Sequence, residues 1–278
     1  VRRGTLRPRG QNFNSARAGG LEKLRTFLPA GTDLRKTVKP QNFFRYLAGQ
    51  VAFIRSSFPH RGGHLRSSGV AYVRIPKSAN TSVSYALLVK KYPELRAANP
   101  DERQINFLTD LHIEPAAAAG SERLFTVVRN PFARIVSVYR DFFENRQPDF
   151  LYAGYLFGVL TPGISFAEFV SRIIRIPDRL KDQHFRPQHL FIRPYRRAGK
   201  TVECFTLENP ASLENFLHKH GLEFVHKNKS SAPYRYQDYY TPELVEQVYA
   251  LYRKDVDTFG YQHDYMNLKA AAAGAQNP

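Results

Sequence analysis

Three times in this chain an apolar run rich in β-branched or aromatic residues passes almost directly into a helix start. "VAYVRI" (70–75) runs into "PKSANTS", "LFTVV" (124–128) into "RNP", and "VECFTL" (202–207) into "ENP". Runs of this length and composition read as strands. Behind the second, Asn130 suits a helix N-cap and Pro131 the first helical position, and Phe132, Ile135, Val136, Tyr139, Phe142 and Phe143 fall on one helical face. Behind the third, Asn209 and Pro210 repeat the arrangement, with Leu213, Phe216 and Leu217 as the apolar face. Strands that alternate with helices pair in parallel and need cover on both sides, so the pattern predicts an α/β fold with a mostly parallel central sheet. A last helix is predicted from Thr241 and Pro242, with Leu244, Val245, Val248, Tyr249 and Tyr252 inward and Gly260 as its stop.

At 278 residues the chain is long enough for a full core. Residues 1–20, with arginines at 2, 3, 7, 9 and 17, read as a flexible basic arm, 21–268 as a single domain, and 269–278 as a disordered tail. The run "FLYAGYLFGVL" (150–160) reads as a packed or lid segment, because it falls short of the roughly 18 apolar residues that a membrane span needs. Cys204 is the single cysteine, which precludes an intrachain disulfide and favours a cytoplasmic setting. The chain begins at Val1, so a compartment reached through an N-terminal anchor since removed stays open.

Forty-one Lys and Arg against 24 Asp and Glu leave a net charge of +17, a field that draws in anions without choosing among them. The choice comes from the first strand-to-helix junction. In a parallel sheet, ligands bind beyond the carboxyl ends of the strands, where "PKSANTS" lies. That loop brings together a helix N-terminus, the Lys77 ammonium and the hydroxyls of Ser78, Thr81 and Ser82, a combination suited to phosphate or sulfate. The triphosphate-binding pattern GxxxxGK[ST] is absent. At the second junction Arg129 leaves the same sheet edge, and Ser137, eight residues on, lies on the helix face opposite Phe132, Ile135 and Tyr139. Two anion-binding loops on one edge point to a ligand with two separated phosphates.

These segments resemble those of the sulfotransferases that use 3′-phosphoadenosine 5′-phosphosulfate (PAPS), and most of all the carbohydrate sulfotransferases of the membrane-bound, Golgi type with their bacterial relatives. "RIPKSANTS" is similar to the 5′-phosphosulfate loop of that group and "VVRNPFARIVSVYR" to its 3′-phosphate segment. "DQHFRPQ" (182–188), "FTLEN" (205–209), "HKNKSS" (226–231) and "YYTPELVEQVYALYRKDVDTFGY" (239–261) follow in the group's order. The resemblance implies a P-loop-like three-layer fold and in-line sulfuryl transfer to a carbohydrate hydroxyl, with PAPS as co-substrate and no metal. It implies that Lys77 bridges the 5′-phosphate and the sulfuryl oxygens, and that Ser78, Ala79, Asn80, Thr81 and Ser82 hold the 5′ side. Arg129 and Ser137 would hold the 3′-phosphate, and Lys229 and Ser230 would close over the nucleotide. The chain departs from the group in having Ala79 and Asn80 where many relatives carry glycine, and in lacking the cysteines often found in the Golgi enzymes.

Transfer to a hydroxyl needs a general base. His112, 17 residues ahead of Arg129, is the first candidate and His184 in "DQHFRPQ" the second, with Glu114 as a carboxylate substitute. The expected partner is a carbohydrate acceptor, an acidic one suiting the charge, with no specific nucleic acid and no membrane span. Two other readings compete. A nucleotide or sugar kinase of related fold would draw its magnesium carboxylates from Asp110 and Glu114, and a polyanion-binding protein without chemistry would rest on the arginine-rich arm and the 16 tyrosines.

Overall fold

The computed structural model describes residues 64–67, 69–100, 105, 115–121, 123–144, 152, 155–227 and 234–274. Among these, the strands are β1 (His64–Ser67), β2 (Val70–Val73), β3 (Arg123–Val128) and β4 (Val202–Thr206), paired in that order across one sheet. β1 lies antiparallel on the edge, whereas β2, β3 and β4 run parallel, with Val70 opposite Arg123 and Leu124 opposite Val202. The described architecture is thus mixed α/β with a mostly parallel sheet.

Successive strand residues point to opposite faces, and both faces are covered. Ala71, Val73, Leu124 and Val128 join one buried cluster, whereas Val70, Tyr72, Phe125 and Val127 join the other. On the second face lie α1 (Asn80–Lys91), through Val83, Leu87 and Leu88, and α7 (Pro210–Lys219), through Leu213, Phe216 and Leu217. The first face is larger. It packs α4 (Pro131–Tyr139), α5 (Phe166–Arg175), α6 (His189–Arg197), α8 (Pro242–Phe259) and α9 (Gln262–Gly274), with Phe132, Phe169, Ile192, Val245 and Leu268 in its core. Two short helices, α2 (Leu95–Ala98) and α3 (Pro115–Ala119), lie between β2 and β3.

The local signals act as elementary chemistry says they should. Asn130 accepts hydrogen bonds from the N–H groups of Phe132 and Ala133 and so caps α4, with Pro131 where its missing N–H costs nothing. Thr241 caps α8, which ends on Gly260 in the left-handed conformation at φ 80°. Ser165 and Glu168 form a capping box on α5. One expectation needs correction. Residues 269–274 of the predicted tail are helical, because α9 continues to Gly274, with Lys269 paired to Glu246 at 2.9 Å and Ala272 buried, and 275–278 lie outside the described residues. The four alanines at 270–273 are the strongest helix formers, and α8 gives them a surface to pack on. The basic arm at 1–20 lies outside the described residues. Among the described residues, no helix is long and apolar enough to cross a membrane, and the 155–160 part of the aromatic run is packed, with Tyr155, Val159 and Leu160 buried.

Candidate active site

β2 and β3 point the same way, so the residues that follow them leave the sheet from one edge, Lys77 after the first and Arg129 after the second. The chain between β2 and α1 turns through two non-glycine residues in the left-handed region, Lys77 at φ 66° and Ala79 at φ 54°. Ala79 is the N-cap of α1, and no side chain caps that helix or places an acid in its first turn. The first N–H groups of a helix have no partner within it, and alternation of this kind makes an anion-binding concavity. Asn80 takes a structural part, its Oδ1 accepting from Arg74 Nε at 2.8 Å. The loop therefore forms with alanine where glycine would be the ordinary choice.

A left-handed alanine carries a penalty of about 1–2 kcal/mol that glycine avoids, offset in part by the greater freedom of glycine in the unfolded chain. Ala79→Gly is expected to raise the melting temperature by about 2 °C, corresponding to a net gain of about 1 kcal/mol. A calorimetric scan checks this, and a lower melting temperature would contradict the left-handed cap.

The hydroxyls of the loop divide between inside and edge. Ser78 is fully buried and donates to Gln188 Oε1 at 3.2 Å. Ser82 accepts from the N–H of Lys227 at 2.9 Å and so ties Lys227 to the first turn of α1. Thr81 is buried in the same turn. Lys77 reaches outward, where its ammonium pairs with Asp141 and sits over the ring of Phe142, 4.8 Å from the centroid. Both charged side chains are partly shielded, at 18% and 24% exposure. Asp141 and Phe142 belong to a π-helical turn, Arg140–Glu144, that continues α4. Such turns are frequent at functional sites.

Arg129 is aimed by its neighbours. The side-chain amide of Gln188, itself fully buried, donates to the Arg129 carbonyl at 2.7 Å and accepts from the Arg129 N–H at 2.9 Å, as a neighbouring strand would. The guanidinium then lies 3.4 Å from the Lys77 carbonyl and 3.4 Å from the Tyr234 hydroxyl. Asn130 is fixed behind it, its N–H donating to Glu208 Oε1 at 2.8 Å and its side chain to Asp264 Oδ1 at 3.0 Å. Asn130 occupies the N–H groups of Phe132 and Ala133 at the start of α4, so the Arg129 guanidinium is the donor group this junction would turn to an anion. Ser137 sits two turns up the same helix and is half-buried.

Arg134 joins the two halves of the site. Only 2% exposed, it donates to the carbonyl of Pro76 through Nε, to that of Arg186 through Nη1 and to that of Gln183 through Nη2, all at 3.0 Å. Burial lowers its pKa from the ordinary guanidinium value, an effect opposed by Tyr252 and Asp255. The segment it holds carries His184. Asp182 Oδ1 accepts from His184 Nδ1 at 2.7 Å, from the His184 N–H at 2.9 Å and from the Tyr152 hydroxyl at 2.9 Å. Burial and then Asp182 push the Tyr152 pKa well above its ordinary value, so its hydroxyl stays a donor. A carboxylate on Nδ1 leaves Nε2 with the lone pair, the arrangement that a base needs. The His184 and Phe142 ring centroids are 4.7 Å apart, so His184 and Lys77 touch one ring and lie no farther apart than those two contacts allow.

The structure thus brings together Lys77, Ser78, Ala79, Asn80, Thr81, Ser82, Arg129 and His184, with Ser137 on the adjoining helix. His112, Glu114, Asp110, Lys229 and Ser230 lie outside the described residues. The described residues that flank the last pair, Lys227 and Tyr234, touch Ser82 and Arg129. Asp141, Arg134, Gln188 and Asp182 escaped the sequence reading. Only Asp182 carried a local signal, two positions before His184. Among the described residues, no group of three or more His, Cys, Asp and Glu is placed to hold a metal ion.

No curated protein and no solved structure matches the chain. A family model described as the sulfotransferase family matches residues 66–262, which run from β1 through the first residue of α9 and include Lys77, Arg129, Arg134, Asp141 and His184. With that match over well more than half its length, the chain belongs to the sulfotransferase family.

Proposed function

We propose that this sulfotransferase moves a sulfuryl group from PAPS to a hydroxyl of a carbohydrate. Family membership makes it a sulfuryl-transfer enzyme, and sulfotransferases of this family generally take PAPS as donor. The observation that carries the reading is the convergence of the uncapped α1 N-terminus, Lys77 and Arg129 on one sheet edge, with a histidine oriented by a carboxylate across Phe142. The turn from Ser78 to Ser82 holds the 5′-phosphate through its backbone N–H groups, and Arg129 with Ser137 holds the 3′-phosphate. Lys229 and Ser230 follow Lys227, which Ser82 anchors, and they close over the nucleotide. The acceptor is a glycan or glycoside, as the resemblance of "DQHFRPQ" to the carbohydrate-modifying group implies.

Sulfuryl transfer is an in-line exchange in which the acceptor oxygen bonds to sulfur while the bond from sulfur to the 5′-phosphate oxygen breaks. Negative charge grows on the departing phosphate, where the Lys77 ammonium offsets it. The proton of the acceptor hydroxyl passes to Nε2 of His184, and Asp182 stabilises the imidazolium that forms. Little covalent work falls to the protein, so position and charge carry the rate.

Transfer of labelled sulfuryl from PAPS to a panel of oligosaccharides tests the reading, with ATP as a second donor. Product from PAPS alone is expected. His184→Gln is expected to lower the rate about 10²–10³-fold while leaving nucleotide binding unchanged. A transfer rate close to wild type would remove His184 from the role of base, and turnover with ATP but not PAPS would overturn the assignment.

A further inference from the structure

We propose that the groove between α6 and α8 binds an anionic carbohydrate chain, the portion of the acceptor that lies beyond the sugar being modified. The inference rests on the reading of the acceptor as a glycan and adds a second point of attachment, with a stated charge. The groove holds about 310 Å³ and is lined by His189, Ile192, Arg193, Arg196, Arg197 and Thr258. Spacings of three and four residues put Arg193, Arg196 and Arg197 on one side of α6. Ile192 and Tyr195 are buried in the larger core cluster, so the helix is anchored while the three arginines stand exposed.

Nothing among the described residues neutralises these arginines. The carboxylates next to the lining residues have other partners. Asp255 is fully buried and accepts from the N–H groups of Gln188 and His189 at 2.6 and 2.8 Å and from His189 Nδ1 at 2.7 Å. Asp257 pairs with Arg253 at 3.8 Å. Arg196 lies 3.9 Å from the Cys204 sulfur, a contact that leaves most of its donors open. Arg193 and Arg197 pair with no carboxylate of the described residues. The chain's own N-terminal portion is poorly matched to the groove, since of residues 1–63 only Glu22 and Asp33 are acidic. Guanidinium forks in a concave wall suit carboxylates and sulfate esters, whose oxygens accept parallel N–H donors.

The wall favours carbohydrate over nucleic acid. Proteins that hold single strands offer aromatic faces to the bases, and no Phe, Tyr or Trp lines this groove. Position points the same way. α6 begins five residues beyond His184, the proposed base, and Gln188 at its head binds the N–H and carbonyl of Arg129. At about 1.5 Å per residue, Arg197 lies about 12 Å along the helix from His189. The arginines are therefore within reach of an oligosaccharide whose reacting sugar sits at His184.

Calorimetric titration of the full chain with a hexamer of galacturonic acid tests the proposal. Its carboxyl-reduced, neutral form and a thymidine hexanucleotide serve as comparisons. The wild-type protein is expected to bind the acidic hexamer, to ignore the neutral one, and to bind the oligonucleotide at least ten-fold more weakly. The double variant Arg193→Ala, Arg197→Ala is expected to weaken the acidic hexamer at least ten-fold and to lower the slope of log Kd against log salt by about two. Binding of 3′-phosphoadenosine 5′-phosphate should stay unchanged, which reports an intact fold. In transfer assays the same variant should raise KM for long acidic acceptors and leave kcat alone. In the unaltered protein the acidic hexamer should slow modification of Arg193 and Arg197 by phenylglyoxal about five-fold, a reading that needs no variant. No binding of the acidic hexamer, equal binding by the double variant, or an oligonucleotide that binds as tightly would overturn the assignment of the groove. The two readings fail separately. Transfer to a carbohydrate with unchanged affinity in the double variant would overturn the groove alone. Hexamer binding that is lost in the variant, with transfer to no carbohydrate, would overturn the acceptor reading and with it the claim that the bound chain is the acceptor.

Discussion

Lys77→Ala is expected to leave a folded protein that still binds 3′-phosphoadenosine 5′-phosphate but transfers sulfuryl groups about 10²–10³-fold more slowly. Binding survives because most of the proposed grip on the nucleotide comes from groups other than this ammonium: the backbone turn ahead of α1 and the Arg129 guanidinium. The rate falls because charge develops on the departing phosphate only as its bond to sulfur breaks. The interaction that is lost is thus stronger in the transition state than in the ground state. Single-turnover transfer of labelled sulfuryl, alongside product binding by calorimetry, separates the two effects. A transfer rate within ten-fold of wild type would remove Lys77 from the chemistry, whatever happened to affinity. Restoring the charge as Lys77→Arg should recover only part of the rate, because a planar guanidinium cannot follow the left-handed turn and the Phe142 ring as a compact ammonium does.

The strand-to-helix junctions were legible because their signals are local. Asn130 caps and Pro131 starts α4 through chemistry that needs no partner farther than three residues away. The same locality explains what was missed. Helix α1 begins inside "PKSANTS", at Asn80, and no glycine marks the left-handed position that Ala79 adopts ahead of it. Strand β1 is four residues with no alternation to announce it, and it owes its place to the exposed edge of β2. The hydroxyls of Ser78 and Ser82 looked alike in a loop suited to anions, yet one is committed to Gln188 and the other to the backbone of Lys227, more than a hundred residues away. Sequence can count hydroxyls but cannot say which of them a distant segment will occupy. Asp141 was hidden for a different reason. It follows a strongly apolar helix face at a position that reads as solvent-facing, and its meaning appears only when the loop after β2 lays Lys77 against it.

Arg134 carries that lesson to the largest expected loss of stability. In the sequence it is one polar residue on a helix whose other side is apolar, and polarity alone sends it to the surface. In the fold it is buried because three carbonyls, of Pro76, Gln183 and Arg186, converge on it from two loops far apart in sequence. Arg134→Met keeps much of the volume but leaves those acceptors without a donor, at about 1–3 kcal/mol each when buried, so a net loss of about 3–5 kcal/mol is expected. For a chain of this size that corresponds to a fall of about 10 °C in melting temperature. Arg134→Lys should fall between, since an ammonium reaches fewer of the three carbonyls in the fork geometry that a guanidinium supplies. A Met variant that melts within 2 °C of wild type would show that water or relaxation satisfies the carbonyls, and that the tether is dispensable. Activity offers an independent reading at temperatures where the variant remains folded. The Pro76 carbonyl precedes Lys77 and the Gln183 carbonyl precedes His184, so the cation proposed for the leaving group and the base proposed for the acceptor are registered through this one side chain. Its loss should therefore lower transfer more than it lowers nucleotide binding, because only the reaction requires both halves of the site to hold the same geometry at once.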